Sequence, residues 1–235
     1  MAVTDLAELL APSRCLGCRA RAPLPWCRRC HAEVRPIRGG CPRCGGARGV
    51  GHPCWPAGAP FATTTAVYDY RGPVAAAIVT AKLGGARRGW RPLATRLAAA
   101  VAAVPPDVDA VTWVTTADRR RRARGVDHAR VLAEAVAAGV GVPAVLTVHA
   151  TDRGSAPDRF VARRRLPGTN LLIVDDVLTT GATAVRVAGV LRAAGAGVLH
   201  LAVLARAGSH PLVEVADAVV GSRPTGARRQ RSCDQ

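Results

Sequence analysis

The run Leu171-Leu172-Ile173-Val174 passes directly into Asp175-Asp176 and then into Val177-Leu178-Thr179-Thr180-Gly181-Ala182-Thr183. Four consecutive apolar residues do not suit a strand with one wet face. They suit a strand buried on both faces, which requires a layer above the sheet and a layer below it. The small and hydroxylated residues that follow lead into a predicted helix, Ala182–Ala194, ended by Gly195. Joined to the strand–helix–strand units around it, this stretch argues for an α/β fold with a mostly parallel sheet.

The remainder agrees with that reading. Strands are predicted at Phe61–Tyr70, Ala110–Val114, Ala144–Val148 and Val198–Leu204, where β-branched and apolar residues cluster between turn signals. Helices are predicted at Pro73–Leu83, stopped by Gly84-Gly85, at Pro92–Val104, ended by Pro105-Pro106, and at Val126–Ala138, ended by Gly139. Thr151–Thr169 is polar and basic and reads as a loop with at most a broken helix. The expected fold is α/β, a mostly parallel sheet flanked by helices, over residues 59–221. Residues 1–58 form a short helix plus a cysteine-rich module, and 222–235 a basic flexible tail. Ligands bind such sheets at the carboxyl ends of the strands, so the loops after Val114, Val148 and Val174 should converge.

The chemistry of Leu171–Thr183 suits a phosphorylated sugar. Loop N–H groups and a helix N-terminus offer partial positive charge to a phosphate. Thr179, Thr180 and Thr183 add hydroxyls, and Gly181 lets backbone approach closely. Asp175 and Asp176 can accept hydrogen bonds from ribose hydroxyls or hold Mg2+, directly or through water. Capping accounts for one acid or one Thr, but not for two acids at a strand end followed by a hydroxyl-rich turn. No G-x-G-x-x-G follows a strand and no G-x-x-x-x-G-K-[ST] is present, so dinucleotide and P-loop readings lack support.

Residues 14–58 show no apolar period, and seven of the eight cysteines lie between Cys15 and Cys54. Such a stretch needs a staple. Cys15-x-x-Cys18 and Cys27-x-x-Cys30 supply four thiolates, enough for a tetrahedral Zn2+ site. Cys41-x-x-Cys44 with Cys54 supplies three more. His52 is a candidate fourth ligand, the alternative being an empty second site, and an interleaved pairing of Cys15/Cys18 with Cys41/Cys44 is a further alternative. Cys233 lies in the tail and is incidental.

There are 33 basic and 16 acidic residues, for a net charge of +17. That surplus points to an anionic partner such as a phosphate, a nucleotide or single-stranded DNA. The arginines of the cysteine module, with Trp26 and Trp55 as stacking platforms, are the candidate DNA contacts. Arg119–Arg122 and Arg124 follow a predicted strand at its ligand end. Lys82 is the only lysine, placed at a helix end before two glycines. A compact ammonium admits a closer phosphate than a planar guanidinium does, so Lys82 is expected to lie near the site or brace its loops. No apolar run reaches the roughly 18 residues a membrane helix needs. The acidic N-terminal stretch lacks the basic residues of a signal peptide, so a cytoplasmic protein without membrane insertion is expected.

The cysteine knuckles, the Lys82-Leu83-Gly84-Gly85 segment, Arg124-Gly125 and Leu171–Thr183 together resemble the type I phosphoribosyltransferases and, within them, the competence-protein-like ComF family. The resemblance implies a type I phosphoribosyltransferase fold with an N-terminal double zinc ribbon. It also implies binding of 5-phosphoribosyl 1-diphosphate (PRPP) with Mg2+. The activity implied is phosphoribosyl transfer, a glycosyltransferase reaction in which a nitrogen nucleophile displaces pyrophosphate at ribose C1. By it, Asp175 and Asp176 hold the ribose 2′ and 3′ hydroxyls. Thr179, Thr180, Gly181, Ala182 and Thr183 wrap the 5-phosphate, and Val177 belongs to the same PRPP-binding stretch. Thr115, Thr116, Ala117, Asp118 and Arg119 form the pyrophosphate loop, supported by Lys82 and Arg124. Structural zinc is held by Cys15, Cys18, Cys27, Cys30, Cys41, Cys44, Cys54 and His52. No residue is assigned as a catalytic group.

The chain departs from the family pattern in three places. Trp113-Val114-Thr115 replaces Pro-Val-Pro, Val126-Asp127-His128 replaces Phe-Asn-Gln, and the closing loop is reduced to residues 151–170. The short loop supports the alternative: a non-catalytic nucleotide- or single-stranded-DNA-binding protein of DNA uptake, working with the competence machinery, or of regulation.

Overall fold

A computed structural model describes residues 13–22, 25–49, 52–83, 87–115, 127–151, 160–208 and 212. The elements in chain order are α1 (Arg28–Glu33), β1 (Thr64–Asp69), α2 (Gly72–Leu83), α3 (Arg87–Ala102), β2 (Ala110–Trp113), α4 (His128–Val140), β3 (Val148–Ala150), β4 (Phe160–Ala162), β5 (Leu171–Leu178), α5 (Ala182–Ala193) and β6 (Leu199–Arg206). Four strands form an all-parallel sheet in the order β1-β6-β5-β2, and β3 and β4 form a separate antiparallel pair. This is the α/β fold with a parallel sheet flanked by helices that the residue pattern implies.

The two-sided burial of β5 is literal. Leu171 and Ile173 enter one core with α5, and Leu172 and Val174 enter the other with α2, α3 and α4. β6 is buried at all eight positions, as expected of a central parallel strand. Cys41, Cys44, Cys54 and Trp55 belong to the same core as α5 and the adjacent sheet face. The knuckle is also bonded to the sheet, since Thr64 N donates to Pro42 O at 2.7 Å. The second cysteine group is thus continuous with the α/β core.

Several element boundaries differ from the predicted ones. β5 runs on to Leu178, because Asp175, Val177 and Leu178 keep their register with β6. α3 begins at Arg87, not at Pro92. Buried Trp90 anchors its first turn by donating Nε1 to Ala81 O at 3.2 Å, and apolar packing there outweighs the proline's break. α4 continues through Gly139 and ends at Gly141, whose φ of 78° makes the left-handed cap. Gly139 instead permits close approach of α3, since a Cβ there would lie 3.4 Å from the Ala98 Cβ. Predicted strand Ala144–Val148 is reduced to one bridge, Val111 to Ala144, and the true strand starts at Val148. The predicted loop Thr151–Thr169 contains β4. The predicted helix at the N-terminus, Gly84-Gly85, Thr116–Arg119, Arg120–Arg122, Arg124, residues 152–159 of the closing loop, and the tail with Cys233 lie outside the described residues.

Candidate functional site

Parallel pairing brings the carboxyl ends of the strands together. Trp113 pairs with Val174, Asp175 with Val203, and Leu178 and Asp69 both with Arg206. A shallow cleft, open to solvent, lies beside the end of β5. Its lining comprises Asp175, Val177 through Ala184, and Val203. Seven of the eight residues expected to bind PRPP therefore line one cleft, and the eighth, Asp176, adjoins it in the strand.

Asp175 Oδ1 accepts from the Asp176 N–H at 2.8 Å, and Asp176 Oδ2 pairs with Lys82 Nζ at 2.7 Å. The single lysine of the chain, on the last turn of α2, thus reaches across to the acids of β5. Burial, aided by the neighbouring Asp176 charge, pushes the Asp175 carboxyl up to about 8, against partial relief from the Asp176 N–H and from Lys82. Two adjacent acids sharing one ammonium resist full ionisation. Asp127 adds to this from the other side. It caps α4 by accepting from Arg130 N, it accepts from Trp113 Nε1 at 3.2 Å, and its charge raises Asp175 further. Sequence reasoning missed Asp127 and Trp113 as partners. The only available signal was an Asp placed ahead of an apolar helix, which an ordinary cap explains.

The turn after β5 carries the anion-binding features. Gly181 is the residue before α5, with φ 81°, and no side chain caps this helix. Thr179 and Thr180 are exposed, and Thr180 Oγ1 accepts a long hydrogen bond from Ala182 N at 3.5 Å. Gly181 itself supplies no side-chain cap, so apart from the long Thr180 contact the N–H groups of the first turn have no capping side chain at the cleft. Gly181 is required on two counts. Its φ suits glycine, and a Cβ would lie 2.7 Å from the Trp55 Cζ3. Of the expected pyrophosphate loop, only Thr115 is described. It is buried, and its Oγ1 accepts from Ala150 N at 2.8 Å, tying β2 to β3.

The metal-ligating residues gather into two groups, Cys15/Cys18/Cys27/Cys30 and Cys41/Cys44/His52/Cys54, with the donor atoms of each within 4.8 Å of one another. Sequential pairing, not interleaving, is what the structure shows, and His52 joins the second group. Zn–S bonds of about 2.3 Å give a tetrahedral S–S edge of roughly 3.8 Å, and the Cys18 and Cys27 sulfurs lie 3.6 Å apart. Cys15, Cys18, Cys27 and Cys30 are free cysteines, and their four thiolates fit Zn2+. In the second group Cys41 and Cys44 are free and His52 adds an imidazole, while Cys54 is disulfide-bonded, so that set is a complete four-ligand Zn2+ site only with Cys54 reduced.

Trp55 is 3% exposed and packs on Phe61 with ring centroids 5.4 Å apart, so it offers no face to a nucleic-acid base. Trp26 is half-buried and edge-on to Tyr68. No helix among the described residues is long and apolar enough to cross a membrane.

Comparison with known proteins places this cleft within a recognised domain. Residues 125–230 match the phosphoribosyl transferase domain family. The match takes in α4, β5, α5 and β6, and with them the whole run Leu171–Thr183. None of the curated proteins compared with the chain matches it. Solved structures similar to parts of it include a glutamine phosphoribosylpyrophosphate amidotransferase from B. subtilis. That similarity is 20% identity over 53% of this chain and 26% of the other, with a TM-score of 0.38. The chain resembles Leishmania donovani UMP synthase at 23% identity over 53% of this chain and 24% of the other, with a TM-score of 0.35. It resembles adenine phosphoribosyltransferase from Leishmania tarentolae at 15% identity over 60% and 78%, with a TM-score of 0.37. The chain spans about a quarter of the length of the first two of these.

Proposed function

We propose that the chain binds PRPP with Mg2+ at the carboxyl end of β5 and transfers the phosphoribosyl group to a nitrogen acceptor, as a ComF-type phosphoribosyltransferase. The observation that carries this reading is the juxtaposition of Asp175, Asp176 and Lys82 with the uncapped N-terminus of α5 at one cleft, inside the segment that matches the phosphoribosyl transferase domain family. Carboxylates accept from ribose hydroxyls. The N–H groups of the first turn of α5, with Thr179, Thr180 and Thr183, take the 5-phosphate. Lys82 balances the paired acids and adds positive charge for the anionic ligand.

Mg2+ keeps most of its waters and prefers one or two carboxylates plus substrate phosphates, and Asp175 and Asp176 fit that role. When bound, it neutralises the diphosphate leaving group. A nitrogen lone pair attacks C1, the C1–O bond to pyrophosphate breaks, and the acceptor nitrogen gives up its proton. The chain's contribution is positioning and charge.

Zinc in the two cysteine groups is structural in this reading. Single-stranded DNA is a second expected ligand on the +17 charge, with its contacts on arginines and without Trp55. Offering PRPP and Mg2+ with a panel of nitrogenous bases and following pyrophosphate release tests the transfer. Release with at least one base supports it. Binding of PRPP without release for any base leaves the non-catalytic alternative standing.

A further inference from the structure

The Trp55 indole lies directly against Gly181, so closely that a Cβ on Gly181 would run into it. The same indole is held at both ends. Its Nε1 donates to Thr64 Oγ1 at 3.2 Å, and its backbone carbonyl accepts from Arg43 Nη2 at 3.2 Å. Trp55 also follows Cys54, one of the four ligating residues of the second metal group, in the chain. Arg206, at the end of β6 and 1% exposed, binds both halves of that group to the sheet. Its Nε donates to Cys44 O at 3.1 Å and its Nη2 to Pro53 O at 2.7 Å. Its Nη1 donates to Ala207 O at 2.7 Å. Burial lowers the Arg206 guanidinium from its ordinary value, and Cys44, Cys41 and Asp69 oppose that shift.

We propose that Trp55 is the positioning residue of the phosphate-binding turn, and that metal in the Cys41/Cys44/His52/Cys54 group sets the turn by fixing Trp55 and Arg206. This rests on the reading of the turn as a PRPP-phosphate site and adds how that site is held. The chain of contact is continuous, from ligand Cys54 to Trp55 to Gly181, and from Cys44 and Pro53 through Arg206 to Ala207, whose N–H donates to Leu178 O at 2.9 Å. Loss of the metal frees the ligand loop, the indole loses its seat, and the α5 N-terminus loses the wall that keeps Gly181 in its left-handed conformation. By linkage, anion binding at the turn and metal binding at the cluster strengthen each other equally.

The test uses the full chain, zinc-loaded, with amide hydrogen exchange read at residues 179–183 and, as an internal control, at 93–101 of α3. In the absence of any sugar phosphate, Trp55→Ala and His52→Ala are each expected to speed exchange at 179–183 about fivefold or more, with 93–101 unchanged. Trp55→Phe keeps an aromatic ring but loses the Nε1 bond and the outer ring atoms that meet Gly181, so it is expected to fall between the parent and Trp55→Ala. Unchanged exchange at 179–183 in Trp55→Ala overturns the proposal, as does equal acceleration in both segments. Unchanged exchange in His52→Ala overturns the role of the metal. In a second arm, PRPP with Mg2+ is titrated into parent and Trp55→Ala, with weakening of about fivefold or more expected and equal affinity overturning the proposal. If the parent itself does not bind PRPP, the functional reading fails while the ligand-free exchange result still decides the role of Trp55.

Discussion

Asp175 concentrates the conflict between stability and binding. Its carboxyl is raised to about 8 by burial first and by Asp176 second, from an ordinary value of 3.8. A raised carboxyl in the fold means the charged form is disfavoured there relative to the unfolded chain. Stability is therefore full below pH 4 as far as this group is concerned, and it falls as the pH rises toward and through 8. Asp175→Asn removes that slope. Denaturant unfolding at pH 8.5 should show the variant more stable than the parent by about 1 kcal/mol or more, with the gain vanishing near pH 4. A variant no more stable at pH 8.5 would mean that the carboxyl is not held up by burial. Lys82 is the complementary case. Its pair with Asp176 is partly buried, so Lys82→Ala should cost about 1 kcal/mol and weaken PRPP binding more than Lys82→Arg does. Equal PRPP affinity in parent, Lys82→Arg and Lys82→Ala would reduce Lys82 to a structural lysine.

Two glycines at helix ends separate backbone strain from contact. Gly181 and Gly141 have nearly the same φ, 81° and 78°, but a Cβ at Gly141 meets nothing within 4 Å while one at Gly181 meets the Trp55 ring. Gly141→Ala should cost about 1 kcal/mol for the left-handed conformation alone. Gly181→Ala should cost clearly more and also abolish sugar-phosphate binding. Equal losses in the two variants, measured by denaturant titration, would remove the steric role of Trp55. The elements also show what was legible in the residues. Runs of apolar residues marked β5 and β6, since two-sided burial fills most of their positions with apolar side chains, His200 and Arg206 being the buried polar ones of β6. The end of β5 was hidden because acids continue its ladder, and a carboxylate pair reads as a turn when its strand partner is unknown. The start of α3 was hidden by Pro92, since only the tertiary seat of Trp90 extends the helix beyond it. β3 and β4, three residues each, are too short for any period to show. Within the site, Asp175, Asp176 and the threonines were legible as one contiguous run. Trp55, Trp113 and Asp127 come from distant parts of the chain, and a stacking tryptophan and a buried one have the same local sequence.

At the scale of the molecule, two groups of residues could each hold a metal ion, and the second is packed into the core beside the sheet. Four thiolates in one and Cys41, Cys44 and His52 in the other, joined by Cys54 once its disulfide is reduced, lead to an expected two zinc ions per chain under reducing conditions. Structural zinc contributes on the order of 10 kcal/mol where folding and binding are coupled. Elemental analysis of the purified chain checks the number. One zinc per chain would leave the second group without its metal, and none would contradict both assignments. The central claim is that the carboxyl end of β5 is a site for PRPP, and calorimetric titration of PRPP with Mg2+ into the parent and into the double variant Asp175→Asn/Asp176→Asn addresses it most directly. The parent should bind in the micromolar-to-millimolar range, about 4–8 kcal/mol, and the folded double variant should show no heat of binding. Undiminished binding in the double variant, or none in the parent, would contradict it.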